Sequence, residues 1–366
     1  MSDLRKYDRE LVDAMRAKET VVHGDGIDIL MKPVPDDDRP HAMDPRIYEI
    51  ASMKKKMFSA RASGGWKLSN ERFRPDKVTA DLTTVPISCR EQLIRINEDH
   101  MIDVYLYRRE DDAGERVPVM IYFHGGGFTA GDMRLYANQM KLISELSHAA
   151  VIFPEYRLAP ECPFPGPIDD AFGTIQWAVD HADSLNLDVS RLMIAGDSAG
   201  GALVNACLLQ DHAGMVKKAF ELYPACDSRD YRNVEEYHWS YEEYPSLPEQ
   251  EEIVRSRIDR IRNSVGQPEA DSLYLQGKAS YTDPLVSILC ASDEALSKLP
   301  PIVIADSEFD YLRVQDEVFA QRLKKLGRDV RNIRYCGCDH GFLDMLGTVV
   351  QAEEICRTMA EEIRSM

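Results

Sequence analysis

The chain has 366 residues, of which 44% are hydrophobic and 29% are charged, a composition typical of a globular protein. Its formal net charge of −18 repels nucleic-acid phosphates and anionic membranes, so we expect no nucleic-acid partner. The sequence contains no apolar run of about 18 residues, so we also expect no membrane span.

The N-terminal stretch MSDLRKYDRELVDAMRAKE has no apolar core of signal-peptide length and has the period of an amphipathic helix. The eight cysteines are scattered through the chain. Without an export signal we expect reduced thiols and a cytoplasmic protein. Residues 1–85 are charged and mostly helical in period, and we interpret them as an N-terminal helical cap region.

From residue 86 onward, short apolar runs alternate with helical segments. The runs cover residues 117–127, 148–158, 191–201, 219–227, 300–310 and 330–340. This alternation predicts an α/β fold with a mostly parallel central sheet and helices on both faces. The continuous apolar character of the runs fits strands that are covered on both sides.

Residues 228–282 interrupt this alternation. They are rich in Glu, Arg and Tyr and contain the helical pattern EQEEIVRSRIDRIRNSV. We interpret them as a cap or lid insertion that divides the core into residues 86–227 and 283–366. Together with residues 1–85, the insertion is expected to cover the carboxyl ends of the strands, where open α/β sheets bind ligands.

The sequence Gly196-Asp-Ser-Ala-Gly200 follows an apolar run and precedes a helical segment. A Gly-x-Ser-x-Gly turn in this context predicts a nucleophile elbow with Ser198 at its tip. The flanking glycines are needed because side chains there would collide in so sharp a turn. The alternative is a glycine-rich strand–helix turn with a solvated serine.

His124 and three following glycines end the run VPVMIYF. Bare backbone N–H groups after a strand upstream of the nucleophile predict an oxyanion hole. A phosphate-binding turn is the alternative, but neither a Gly-x-Gly-x-x-Gly pattern nor a Walker lysine follows.

A serine nucleophile needs a base, and the base needs an orienting acid. Downstream of Ser198 the histidines are His212, His238 and His340. His212 ends a predicted helix and suits a cation at a helix C-terminus, whereas His238 lies in the insertion and suits packing. His340 follows the last predicted strand, and we favour it as the base.

The acid is expected after the strand at residues 300–310. Asp306, Glu308 and Asp310 are all candidates there, and the residues alone do not separate them.

Cys336, Cys338 and His340 also have the pattern of half a metal site. A zinc site needs a fourth ligand, and Cys-x-Cys closes no common structural site without a second pair. We therefore prefer His340 as a catalytic base and expect neither a metal nor a cofactor.

Together these segments resemble the hormone-sensitive-lipase-like (family IV) esterases of the α/β-hydrolase superfamily. The resemblance covers roughly residues 85–225 and 283–345. It is carried by HGGGF (124–128), YRLAPE (156–161), FPGPIDDAFGTIQWAV (164–179), GDSAGG (196–201), DPLVS (283–287), EFDYLR (308–313) and HGF (340–342).

The resemblance implies the α/β-hydrolase fold, with Ser198 as nucleophile, His340 as base and Asp310 as acid. Asp310 is preferred because it opens the family's Asp-x-Leu-Arg motif, although Tyr311 stands where the family usually has proline.

For the oxyanion hole the resemblance implies the N–H of Ala199 and two N–H groups among Gly125, Gly126 and Gly127. We favour Gly126 and Gly127 as the donors, with Gly125 setting the turn.

The implied function is a carboxylic ester hydrolase that acts on short-chain, small-molecule esters through an acyl-enzyme, without a cofactor. An amidase, formamidase or peptidase that uses the same triad is the alternative. A non-catalytic ligand-binding protein of the same fold is a weaker alternative, because nucleophile, base and acid are all present. The resemblance also allows a homodimer, for which the sequence marks no interface.

Overall fold

The computed structural model describes residues 4–24, 26–61, 67–73, 79–265 and 273–366. The strands are β1 (Thr20–Gly24), β2 (Ile27–Lys32), β3 (Ile87–Arg95), β4 (Met101–Arg109), β5 (Val117–Phe123), β6 (Ala150–Pro154), β7 (Leu187–Asp197), β8 (Lys218–Leu222), β9 (Ile302–Phe309) and β10 (Val330–Asp339). The helices are α1 (Glu10–Ala17), α2 (Pro45–Arg61), α3 (Leu68–Arg72), α4 (Met133–Ser147), α5 (Gly166–Asp180), α6 (Ala199–Gln210), α7 (Glu251–Arg262), α8 (Asp293–Leu296), α9 (Arg313–Lys325) and α10 (Val350–Arg364).

The ten strands of the described residues form one sheet, in the order β1-β2-β10-β9-β8-β7-β5-β6-β4-β3. In this sheet order, the seven neighbouring strands β2-β10-β9-β8-β7-β5-β6 are parallel. At the two edges, β1 pairs antiparallel with β2, β4 with β6, and β3 with β4. The predicted α/β fold with a mostly parallel sheet is therefore confirmed. Because parallel strands share a direction, the segments that follow β5, β7, β9 and β10 all emerge at one edge.

The central strands lie in the core because both of their faces are covered. Every residue of β5 and β9 is buried, which explains their continuous apolar sequence. The chain reverses its direction across the sheet after β6, so right-handed crossovers place α4 and α5 on opposite faces. Helix α4 packs against α10, and α5 packs against α6.

The N-terminal region differs from the mostly helical prediction. Residues 20–24 and 27–32 form the antiparallel hairpin of β1 and β2, and β2 pairs in parallel with β10, so this hairpin extends the central sheet. The physical reason is a period of two: Ile27 and Ile29 are buried, whereas Asp28 between them is exposed. The boundaries drawn between cap and core are not tested by this difference and stay predictions.

The insertion contains the predicted helix, α7, which packs against α2 from the N-terminal region and against β9 and β10. Among the described residues, none of the helices combines the length and the apolar character that crossing a bilayer requires.

Candidate active site

Ser198 stands between the end of β7 and the start of α6. Its φ of 55° and ψ of −119° lie in a region that a non-glycine residue occupies only when its surroundings enforce it. A Cβ atom at Gly196 would lie 2.4 Å from the carbonyl oxygen of Gly200, and one at Gly200 would lie 2.0 Å from that of Phe123. Both glycines are therefore required by close backbone packing, as the elbow pattern predicted.

His340 and Asp310 follow β10 and β9, and both side chains meet Ser198 at the same edge of the sheet. Nε2 of His340 lies 2.9 Å from Oγ of Ser198, and Nδ1 lies 2.6 Å from Oδ2 of Asp310. The Asp310 side chain is fully buried and its Oδ1 accepts the N–H of Leu312 at 3.0 Å. A hydroxyl, an imidazole and a buried carboxylate joined in this order are the groups that nucleophilic catalysis requires.

The other candidate acids have different partners. Asp306 accepts a hydrogen bond from the side chain of Asn332 at 2.8 Å. Glu308 accepts the N–H of Gly337 at 2.7 Å and contacts the ring of His41 at 2.8 Å. Of the three carboxylates, Asp310 is the one that contacts His340 within the described residues.

The other candidate bases, His212 and His238, are both exposed. Neither makes a hydrogen bond to Ser198 within the described residues, whereas His340 does. The choice among the three histidines made from the sequence therefore agrees with the geometry.

The glycine turn after β5 lies beside the elbow. The N–H of Gly125 donates to Oδ1 of Asp197 at 2.8 Å, so it is not available to a substrate, which agrees with the turn-setting role expected for Gly125. Gly126 has a φ of 130°, and a Cβ atom there would lie 2.0 Å from the carbonyl oxygen of Ala130. Within the described residues, no backbone or side-chain acceptor is seen for the N–H groups of Gly126 and Gly127. These two donors stay predictions for the oxyanion hole.

Ala199 begins α6 directly after Ser198. The first N–H groups of a helix have no partner within the helix and carry the positive end of its dipole. This position suits the predicted role of Ala199 as an oxyanion donor.

Asp197 is a site residue that the sequence reasoning missed. Besides the N–H of Gly125, its carboxylate accepts the hydroxyls of Tyr122 at 2.9 Å and Tyr136 at 3.1 Å. Burial raises the pKa of Asp197 to about 6, and the nearby charge of Asp344 adds to the increase. Asp197 thereby ties the glycine turn after β5 to the end of β7, directly before Ser198. The one signal in the sequence was an acidic residue at the end of an otherwise apolar run.

Tyr223 was also missed. It follows β8 with a φ of 36°, is fully buried, and its ring centre lies 4.6 Å from that of His340. The ring therefore supports one side of the imidazole. Nothing in the stretch AFELYPACD distinguishes this tyrosine from a core residue.

The two cysteines near the base lie on β10. Burial raises the pKa of the Cys336 thiol to about 12 and that of the Cys338 thiol well above its usual value. Thiols that stay protonated are poor metal ligands. Among the residues that the structure describes, no group of three His, Cys, Asp or Glu side chains is arranged to hold a metal ion.

The aromatic side chains of the insertion pack onto the acid loop. Trp239 and Tyr244 are nearly buried, and the Trp239 ring lies 5.4 Å from that of Tyr311. The hydroxyl of Tyr244 donates to the carbonyl of Tyr311 at 3.2 Å. Tyr311, which replaces the usual proline after the acid, is thus an anchor for the insertion.

A family model, several curated proteins and several solved structures match this chain. The family described as alpha/beta hydrolase fold matches residues 120–344. An alpha/beta hydrolase of Acanthamoeba polyphaga mimivirus is 28% identical over 236 residues, which cover 63% of this chain and 62% of that protein. The ethyl acetate hydrolase of Pseudomonas putida is 27% identical over 274 residues, which cover 70% of this chain and 76% of that protein.

Among solved structures, an esterase from Pyrobaculum calidifontis superposes with a TM-score of 0.70 at 26% identity. The superposition covers 88% of this chain and 99% of that one. The chain therefore belongs to the α/β-hydrolase family, within its hormone-sensitive-lipase-like branch of carboxylic ester hydrolases.

Proposed function

We propose that the chain hydrolyses short-chain carboxylic esters, with Ser198 as nucleophile, His340 as general base and Asp310 as the acid that orients the base. The observation that carries this proposal is the continuous hydrogen-bond path from the Ser198 hydroxyl through both ring nitrogens of His340 to Asp310. A backbone strained at the nucleophile supports it, because such strain persists where function requires it.

In the proposed mechanism, Nε2 of His340 takes the proton of Ser198 while Oγ attacks the ester carbonyl. The N–H groups of Gly126, Gly127 and Ala199 donate hydrogen bonds to the carbonyl oxygen as it becomes negatively charged. The protonated His340 then gives its proton to the leaving alcohol. Water repeats the sequence on the acyl-enzyme and releases the carboxylic acid, and no cofactor is needed.

The preference for short acyl chains rests on the family resemblance and on the relative that is named an ethyl acetate hydrolase. The same triad can cleave amides, but no observation on this chain favours an amide over an ester.

The experiment compares the purified wild type with Ser198→Ala on p-nitrophenyl esters from acetate to decanoate, with EDTA in the buffer. We expect the wild type to hydrolyse the short esters at a rate that EDTA does not change. The alanine variant should lose at least about 10⁴-fold in kcat. A folded wild type that leaves every ester intact while it cleaves the matching p-nitroanilides would move the proposal to an amidase.

The cytoplasmic location and the homodimer stay part of the proposal. All eight cysteines are free thiols, which agrees with a reducing compartment. Cell fractionation tests the location, and light scattering of the purified chain tests the dimer.

A further inference from the structure

Helix α7 of the insertion contacts the chain on both sides of the bond between Asp339 and His340. Nε of Arg257 donates to the carboxylate of Asp339. One turn further along the helix, Nη2 of Arg260 donates to the backbone carbonyl of His340 at 2.9 Å. Two arginines of one helix thus bind the end of β10 and the backbone of the proposed base.

The side chains of Asp339 and His340, which are adjacent in the chain, have different partners. The imidazole reaches Ser198, whereas the carboxylate is turned toward the insertion, with its side chain 3% exposed. Burial by itself raises the pKa of Asp339, but the charges of Arg257, Arg260 and Lys54 outweigh burial, so the pKa is lower than usual. A buried carboxylate that stays charged makes the nearby arginines necessary.

The position of α7 is itself fixed by packing. Its buried face consists of Ile253, Val254, Ile258 and Ile261. At its start, the side chain of Gln250 accepts the N–H of Met43 at 2.7 Å, and Glu252 forms an ion pair with Lys55 of α2. The helix is therefore clamped between the N-terminal region and the sheet, so that its arginines meet the base loop in one register.

We infer that Arg257 and Arg260 are positioning residues that make the alignment of His340 depend on the docked insertion. This inference rests on the proposed function, in which His340 is the base. Beyond His340 the chain turns through Gly341 at a φ of 87°, so the backbone has a sharp bend where Arg260 holds it. Without the contacts of Arg257 and Arg260 this bend can move, and the imidazole of His340 is then no longer aligned for proton transfer. A misplacement of about 1 Å can lower a rate roughly 100-fold.

The test compares Arg257→Gln and Arg260→Gln with the matched control Arg255→Gln. Arg255 lies on the same helix but is exposed, and it contacts Glu251 and the ring of Tyr241 instead of the base loop. For each variant, kcat and KM are measured on a short p-nitrophenyl ester. The kcat value is calculated per active site, and the active sites are titrated with diethyl p-nitrophenyl phosphate. Thermal unfolding is measured alongside.

We expect Arg257→Gln to lose roughly 10- to 100-fold in kcat per active site, with KM changed by less than about threefold. Arg260→Gln, which removes the hydrogen bond to the His340 carbonyl and a positive charge that acts on Asp339, is at an exposed position and should lose about three- to tenfold. Arg257→Lys keeps the charge and should recover most of the rate. A purely structural role would lower the melting temperature or the titrated fraction and leave kcat per active site unchanged.

The inference is overturned if the Arg257 and Arg260 variants match Arg255→Gln in kcat per active site. If Arg257→Gln does not fold, Arg260→Gln decides the matter by the same comparison. Wild type and Ser198→Ala are measured in the same series. An inert wild type would refute the proposed function, whereas an active, Ser198-dependent wild type with unaffected arginine variants would refute this inference alone.

Discussion

Ser198 keeps its strained backbone because the turn that holds it packs tightly against the glycine turn after β5. The glycines at positions 196 and 200 let two backbone segments touch, and Asp197 joins this pair to the N–H of Gly125. The buried carboxylate of Asp197, directly before Ser198, therefore holds the turn that is proposed to bind the oxyanion. The geometry of the proposed oxyanion hole depends on positions where a side chain has no room.

Gly126→Ala tests this dependence on the glycine turn. The added methyl group would meet the carbonyl oxygen of Ala130, and the φ of 130° disfavours any side chain. Movement of the turn would remove at least one oxyanion donor, so we expect kcat to fall about 100- to 1,000-fold. Steady-state kinetics on a short ester, with thermal unfolding as a folding check, measures the effect.

Gly24→Ala is the control for that substitution, because a Cβ atom there meets no atom within 4 Å and its φ is not positive. We expect its kcat to equal that of the wild type. Equal rates for Gly126→Ala and Gly24→Ala would mean that the turn does not bind the oxyanion.

At the scale of single residues, the sequence predicted the nucleophile and the base because their patterns have few alternatives. It did not separate Asp306, Glu308 and Asp310, since all three lie at the end of one strand. The family motif selected Asp310, and the hydrogen bond to His340 agrees with that choice. The role of Asp197 was not predictable because its partners come from β5 and α4, which are distant in sequence.

Among the elements, the hairpin of β1 and β2 is joined to the last helix by a buried ion pair. Nζ of Lys32 on β2 lies 2.9 Å from Oε1 of Glu354 on α10, with the two side chains 4% and 0% exposed. Arg16 of α1 approaches the same carboxylate at 3.1 Å. The N-terminal region is therefore bound to the core through charge as well as through strand pairing.

Lys32→Met tests the contribution of this ion pair. Removal of the ammonium takes away a positive charge that balances the buried carboxylate of Glu354. We therefore expect the free energy of unfolding to fall by about 3 kcal/mol. Urea unfolding followed by circular dichroism measures the change. Lys298→Met removes an exposed lysine that pairs with Glu294, and it should leave stability almost unchanged. Equal effects of the two substitutions would contradict this account of the N-terminal hairpin.

Strands and helices were predictable from the sequence to different degrees. The apolar runs that became β5 to β10 were predicted, because strands covered on both faces are apolar throughout. The edge strands were not predicted. Most exposed positions of β3 carry charged or polar side chains, with Leu93 as an exception, and all five residues of β1 are exposed, so neither strand has a long apolar run. Their strand structure depends on pairing with a neighbour, which a local pattern does not reveal.

For the whole molecule, the parallel sheet brings the turns after β5, β7, β9 and β10 to one edge, and the insertion packs against that edge. The sheet also buries acidic groups. Glu221 on β8 is fully buried, and its Oε2 accepts a hydrogen bond from the side chain of Asn205 at 3.2 Å. Burial and the charge of Asp306 raise the pKa of Glu221 from its ordinary 4.5 to about 8.

The raised pKa predicts the pH dependence of global stability. Between about pH 4.5 and pH 8 the folded state keeps a proton on Glu221 that the unfolded state has lost. Stability contributed by this group is therefore present at low pH and is lost as pH rises, by up to about 1.4 kcal/mol per pH unit. Glu221→Gln fixes the neutral form and removes this loss.

Chemical unfolding of the wild type and Glu221→Gln at several pH values checks the prediction. The variant should gain stability relative to the wild type as pH rises from about 5 to about 8. A difference that stays constant over this range would show that Glu221 titrates alike in the folded and unfolded states.

The most direct test of the central claim is covalent trapping of the nucleophile. The wild type and His340→Ala are incubated with diethyl p-nitrophenyl phosphate, and the modified residue is located by peptide mass spectrometry. We expect one diethylphosphoryl group per wild-type chain, on Ser198, with a labelling rate that falls by orders of magnitude when His340 is replaced. A chain that hydrolyses esters but carries no label on Ser198, or that is labelled equally fast without His340, would contradict the proposed triad.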